Sequence, residues 1–221
     1  MITLHHLESS RSQRILWLLE ELGLEYRIER YARDAETLLA PERLRAVHPL
    51  GYAPVLQDGD LVLAESAVII EYLLHEYGDA GWQPQRGDGQ WLDYAYWLHY
   101  GEGSVMPMLV MKLVCQRVRG ATPWLLRPLA GGISKGVMGS FVQPSLDRHL
   151  AFMEASLKGR DWFVGQRLTG ADVQMSYVVA IAAGHDALEG RYPRLSSWLD
   201  RVVSRPAWQR ALAAGGALSP A

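Results

Sequence analysis

The segment Pro54-Val55-Leu56-Gln57-Asp58-Gly59-Asp60-Leu61-Val62-Leu63-Ala64-Glu65-Ser66 carries the densest structural signal in this 221-residue chain. Two short apolar runs flank Asp58-Gly59, a turn pair that predicts a β-hairpin. Directly after it, Ala67, Val68, Ile70, Leu73, Leu74 and Tyr77 recur at helical spacing until Gly78 ends the run. Working backwards, Ile2 to Leu7 predicts a short strand. Ile15, Leu16, Leu18, Leu19 and Leu22 predict a helix that Gly23 caps. Tyr26-Arg27-Ile28-Glu29 alternates as a half-buried strand does, and Pro41 to Val47 suits a short helix. The order is βαβα followed by ββα, which implies a small mixed sheet covered by helices.

Beyond Gly78 the chain changes character. Residues 78–89 are rich in Gly, Pro and Asp and read as a linker, and no strand pattern follows. Trp91, Tyr94, Ala95 and Leu98, then Met108, Leu109 and Leu113, suit one or two long helices. Pro144 to Leu157, Asp172 to Ala183 and Leu195 to Val203 are further helix candidates. Thr169-Gly170-Ala171-Asp172 has the form of an N-terminal capping box with Asp in place of Glu. The reading is therefore an α/β domain over residues 1–80 and an all-α domain over residues 88–214, with a frayed tail from Ala213.

Composition narrows the function. The chain is 49% hydrophobic and 21% charged, which excludes a mostly disordered protein. Lys and Arg number 22 against 24 Asp and Glu, so no global basic field points to nucleic acid. The single cysteine, Cys115, excludes an intrachain disulfide framework, and nothing pairs it with a base. No apolar run of membrane-spanning length occurs, and the N-terminus has no signal-peptide pattern; a cytoplasmic protein with no membrane partner is the expectation. Walker-type, GxGxxG, HExxH and GxSxG motifs are missing from the sequence. His5-His6 is not read as a metal pair, because adjacent strand residues point to opposite faces. Residues 103–146 hold no carboxylate and a local charge of +5. They read either as a solvated face on a helical connection or as a mobile lid over an apolar, anionic-ended substrate.

Two segments carry chemistry. Ser9-Ser10-Arg11-Ser12-Gln13-Arg14 joins the first strand to the first helix, and Ser10 to Gln13 fits a capping box. A helix N-terminus of this kind also stabilises an anion through its free N–H groups and its macrodipole. Glu65-Ser66 opens the helix after the hairpin in the same way.

Taken with Gly51-Tyr52-Ala53-Pro54-Val55-Leu56 and Leu168-Thr169-Gly170-Ala171-Asp172, these segments resemble the cytosolic glutathione transferases over the length of the chain. The likeness implies a thioredoxin-like first domain and an all-α second domain. It is nearest to the serine-using bacterial and fungal members, since no tyrosine lies in the first strand or the turn after it. Implied with it is a hydroxyl that activates the glutathione thiol: Ser10, four residues before Arg14, with Ser9 as the alternative. A free thiol of pKa about 8.5 is roughly 3% ionised at pH 7; lowering it by about two units gives roughly 75%, worth about 2.7 kcal/mol.

The resemblance further implies that Ala53, before a cis Pro54, pairs with the cysteinyl peptide of glutathione. Glu65 would take the γ-glutamyl ammonium and Ser66 the α-carboxylate. Tyr52, His48 or Arg11 would meet the glycine carboxylate. Tyr96, Tyr100, Met106, Met108 and Met111 are the implied wall of an electrophile site between the domains. Thr169 and Asp172 serve folding. Glutathione is thus expected as co-substrate, without a metal, with a small hydrophobic electrophile as acceptor and a homodimer as the assembly. A non-catalytic scaffold on the same fold and a glutathione-dependent isomerase are the alternatives.

Overall fold

The computed structural model describes residues 1–34, 37, 39–184, 188, 190–216 and 218. Four strands form one sheet in the order β2-β1-β3-β4: β1 Ile2–Leu7, β2 Tyr26–Tyr31, β3 Val55–Asp58 and β4 Leu61–Ala64. β1 pairs parallel to β2, with Ile2 opposite Tyr26, and antiparallel to β3, with Leu4 opposite Leu56. The hairpin is tight because Asp58 pairs with Leu61, leaving Gly59 and Asp60 as the loop. Gly59 takes φ 58°, where a side chain would be strained.

Helix α1 (Ser12–Glu21) makes the crossover between the parallel strands. It ends where Gly23 adopts φ 63° and the Leu24 N–H reaches back to the Leu19 carbonyl at 3.1 Å. The short α2 (Glu42–Arg45) buries Leu44 with Leu7 and Tyr31 on one face of the sheet. α1 and α3 (Ser66–Glu76) cover the other face, with Ile2, Leu4, Leu16, Ile70 and Leu73 in the main core. This is the mixed, helix-covered sheet that the strand and helix order implied, in the thioredoxin-like form that the resemblance implied.

All elements after residue 90 are helical among the described residues, apart from one isolated bridge between Trp162 and Gly165. They are α4 (Trp91–Tyr100), α5 (Met106–Ala121), α6 (Arg127–Val137), α7 (Gln143–Ser156), α8 (Gly170–Gly184), α9 (Pro193–Val203) and α10 (Pro206–Gly215). Helix α8 lies at the centre and is buried almost throughout. Its first turn is fastened by Asp172, whose carboxylate accepts the N–H and the hydroxyl of Thr169, each at 3.0 Å.

Residues 103–146 are not a loop. They form the antiparallel helices α5 and α6, which leave and rejoin the body through two π turns, Gly101–Val105 and Met138–Val142. Gly131, Gly132 and Gly136 sit inside α6, Gly120 inside α5 and Gly139 in the turn after α6. Packing of α6 along α5 supplies what their low helix propensity lacks. No side chain of α6 is buried, and Trp124, Leu125, Leu129 and Ile133 are exposed at its start and along its length.

Candidate active site

The turn between β1 and α1 is held open by groups remote in sequence. Ser9 takes φ 47°, a conformation costly for a residue with a side chain. Its carbonyl accepts the Tyr177 hydroxyl of α8 at 3.1 Å and Nη2 of Arg33 at 3.4 Å. Those bonds keep the turn in place and leave Ser10 at the helix entrance. Ser10 Oγ accepts the Ser12 N–H at 3.2 Å. The capping box expected between Ser10 and Gln13 does not form: the Gln13 N–H goes to the Ser10 carbonyl at 3.2 Å, and Gln13 Nε2 is buried without a hydrogen-bond partner among the described residues.

Arg11 and Arg14, from the same turn, bind one carboxylate of the second domain. Glu102, in the first π turn, lies 2.7 Å from Arg11 Nε and 2.9 Å from Arg14 Nη1. Arg14 is fully buried, donates to Gln174 Oε1 at 2.8 Å and lies over the Tyr177 ring at 5.2 Å. Burial pushes its guanidinium pKa down, and Glu102 opposes that shift.

Two adjoining cavities open from this point. The first, about 220 Å³, is polar and is lined by Arg11, His48, Tyr52, Ala53, Pro54, Glu65, Ser66 and Glu102 among others. Every residue that the sequence implied for glutathione is on that wall. The Ala53–Pro54 bond is cis. Glu65 stands exposed at φ 71° immediately before α3, and Ser66 is buried at the first position of that helix. His48 Nδ1 is buried without a hydrogen-bond partner among the described residues. An acidic group beside a helix N-terminus suits a zwitterionic end, with an ammonium on Glu65 and a carboxylate on the N–H groups of α3.

The second cavity, about 400 Å³, shares Arg11, Tyr52 and Ala53 with the first and is mainly apolar. Ser9 and Ser10 lie on its wall, facing Met106, Leu109, Val110 and Leu113 of α5 and Tyr177 and Ile181 of α8. Of the five residues expected at an electrophile site, only Met106 is there. Tyr96 and Tyr100 are turned instead into an aromatic cluster with Trp97 and Phe152, and Met108 and Met111 are half-buried against the core. Arg33, Arg117, Leu113, Tyr177 and Ile181 line the cavity and were not expected. Arg117 and Leu113 lie on the acid-poor stretch, so that signal pointed to the right helix. Nothing local marked Tyr177 or Ile181. The two adjacent histidines do face apart: His5 Nδ1 lies 2.9 Å from the Tyr31 hydroxyl, while His6 turns to α1 and α10.

A thioredoxin-like sheet is thus joined to a helical domain, with a polar cavity opening into an apolar one at a serine-bearing helix entrance. Residues 8–76 match the glutathione S-transferase N-terminal domain, and residues 141–206 match the glutathione S-transferase C-terminal domain. Glutathione S-transferase 3 of Schizosaccharomyces pombe is 33% identical over 94% of this chain and 85% of its own length. Glutathione S-transferase 1 of Saccharomyces cerevisiae is 32% identical over 94% and 92%. A crystal structure of a glutathione S-transferase from Actinobacillus pleuropneumoniae, 34% identical, superimposes with a TM-score of 0.79 over 99% of this chain and 94% of that one. A family member from Pseudomonas fluorescens, solved with two glutathione bound, is 25% identical with a TM-score of 0.73, covering 96% and 92%. The chain belongs to the glutathione S-transferase family. It is a glutathione transferase enzyme.

Proposed function

We propose that the protein binds glutathione along the polar cavity and ionises its thiol at Ser10, for attack on a small hydrophobic electrophile held in the apolar cavity. The observation that carries this reading is the convergence of Arg11, His48, Tyr52, Ala53, Pro54, Glu65 and Ser66 on one polar wall, with Ser10 on the wall of the adjoining apolar cavity. Glu65 takes the γ-glutamyl ammonium, and Ser66 with the α3 N-terminus takes the neighbouring carboxylate. The Ala53 backbone pairs with the cysteinyl peptide. Arg11, with His48 and Tyr52, meets the glycine end. The sulfur then reaches the cleft beside Ser10, where a donated hydroxyl and the α1 N-terminus favour thiolate over thiol.

Met106, Leu109, Val110, Leu113 and Ile181 give the acceptor an apolar bed, and Arg33 and Arg117 give it a cationic rim. Conjugation of apolar electrophiles, with peroxide reduction as a related use of the same thiolate, fits that lining. We assign the protein to cytoplasmic detoxification on this chemistry. The assembly is a homodimer in which the first domain of one subunit packs on the second domain of its partner. Exposed Leu61, Val62 and Val68 on the one, and Leu92, Tyr96 and Phe152 on the other, support that contact. Light scattering is expected to give twice the chain mass; a monomer would remove the dimer.

Calorimetric titration is expected to give one glutathione per subunit in the micromolar to low-millimolar range. Ser10→Ala is then expected to lower kcat/KM at pH 7 by about 25-fold, the ratio of the thiolate fractions for a pKa shift of about two units. It should move the acid limb of the pH profile upward by a similar amount. Ser9→Ala should leave that limb in place. The reverse pattern would transfer the role to Ser9, and retention of activity in both variants would refute a serine hydroxyl.

A further inference from the structure

Behind Ser10 a chain of buried hydroxyl and imidazole groups runs away from the cleft. Ser10 Oγ lies 2.7 Å from Ser12 Oγ, and Ser12 Oγ lies 2.8 Å from His6 Nδ1. The other ring nitrogen, His6 Nε2, lies 2.8 Å from the Gly215 carbonyl at the end of α10. Ser10, Ser12 and His6 are all buried. Glycine at 215 permits the approach, since a Cβ there would meet Leu16, Gln13 and His6 at 3.0 Å or less.

The direction of each bond follows from one fact. A carbonyl can only accept, so His6 Nε2 carries a hydrogen and, in the neutral ring, Nδ1 is an acceptor. Ser12 then donates to Nδ1 at 2.8 Å, a far shorter bond than its alternative to the Leu7 carbonyl at 3.4 Å. With its single proton so committed, Ser12 can only accept from Ser10. Ser10 Oγ in turn accepts the Ser12 N–H. In this resting order the Ser10 proton points into the protein, away from the place where a thiolate would need it.

We propose, on the basis of the functional reading above, that His6 is the terminal acceptor of the glutathione thiol proton, reached through Ser10 and Ser12. The S–H proton passes to Ser10 Oγ as the Ser10 proton passes to Ser12 and the Ser12 proton passes to His6 Nδ1. Each bond broken is matched by one formed. The net change is one proton moved from sulfur to imidazole, leaving a thiolate and an imidazolium. The transfer also reverses the Ser10–Ser12 and Ser12–His6 hydrogen bonds and leaves the one to Gly215 as it was. His6 now donates at both nitrogens, to Ser12 and to Gly215, and Ser10 donates to the sulfur it has deprotonated.

The surroundings of His6 suit a base that rests neutral. Burial lowers its pKa, so the ring is free to accept at pH 7. The Gly215 carbonyl on α10 and the Glu8 carboxylate after β1 favour the cation, and Arg30 on β2 opposes it. Ser12 is the group that α1 presents to the ring.

The test compares two quantities on the full-length protein at pH 7. Thiolate formed on glutathione binding is read from its ultraviolet difference absorbance. Protons released to solvent are read by calorimetry in buffers of different ionisation enthalpy, with S-methylglutathione subtracting protons moved by other groups. The relay predicts thiolate without a matching proton release, together with an imidazolium signal for His6 in nitrogen NMR. Ser12→Ala should restore release to nearly one proton per thiolate and raise the pH at which thiolate forms. One proton released per thiolate by the unaltered protein, with His6 still neutral, would overturn the relay and leave the functional reading standing. Failure to form thiolate at all would overturn that reading and the relay with it. The wild-type measurements need no variant to fold.

Discussion

Replacing Asp172 with alanine is expected to lower the unfolding free energy at pH 7 by about 3–5 kcal/mol, read from urea denaturation. The carboxylate is fully buried and accepts four hydrogen bonds. Besides the two from Thr169, it takes the Phe163 N–H at 2.9 Å and the Trp198 indole N–H at 3.1 Å. Truncation leaves those donors facing one another across a cavity, and each unsatisfied buried donor costs about 1–3 kcal/mol. Thr169 can rotate and the cavity can shrink, so the net loss is smaller than the sum. Burial raises the Asp172 pKa to about 6, above its ordinary 3.8, although its four donors pull the other way. The native state therefore holds this proton more tightly than the unfolded chain does. The group's contribution is largest below the unfolded value and declines as pH rises through about 6. The stability gap between wild type and Asp172→Ala should accordingly narrow from pH 4 to pH 7; a gap that widens would reverse the sign.

Arg14→Ala is expected to cost a comparable amount, about 3–5 kcal/mol, because it breaks a buried ion pair from one side. The Gln174 side-chain carbonyl then loses its Arg14 donor, the Tyr177 ring loses its cation, and a void replaces a large fully buried side chain. Glu102 keeps Arg11 and some solvent, which holds the loss near the lower end. Lysine should not rescue the variant. A single ammonium cannot serve Gln174 on α8 and Glu102 in the π turn with the geometry of a guanidinium. Equilibrium unfolding of Arg14→Ala and Arg14→Lys checks this, and a near-neutral Arg14→Lys would show that charge alone suffices.

Much of the fold could be read from local chemistry. The hairpin followed from Asp58-Gly59 between two apolar runs, the end of α1 from Gly23, and the start of α8 from Thr169 and Asp172. Each of these is a short-range bond or a φ preference, so neighbouring residues decide it. The polar wall was legible for a different reason: the family resemblance pointed to Ala53, Pro54, Glu65 and Ser66, which stand at strand and helix ends of the sheet domain.

The apolar wall was not legible. Helical spacing reveals a stripe, but not which neighbour the stripe meets. Tyr96 and Tyr100 share a face of α4, and that face turns to Phe152 and His149 of α7. Tyr177 and Ile181 reach Ser9 and Ser10 across some 170 residues of chain, which no local signal spans. His6 was weighed only as half of a metal pair, and set aside because its neighbour faces the other way. Its bond to Gly215 joins nearly the two ends of the sequence. Of the two readings of residues 103–146, the helical connection is the one the structure bears out; missing carboxylates and charge describe a segment alone and could not choose, whereas α6 packs along α5.

The unburied helix α6 also bears on how stability is distributed. Its backbone bonds rest on one seam with α5, whereas α8 is enclosed on all sides. Opening α6 exposes little new apolar surface, so the molecule can unlatch there at a small fraction of its global free energy. The wall of the apolar cavity that α5 supplies is thus backed by a helix with no buried side chain, while the polar wall rests on the sheet. Local opening at α6 would reshape the first wall and leave the second as it is.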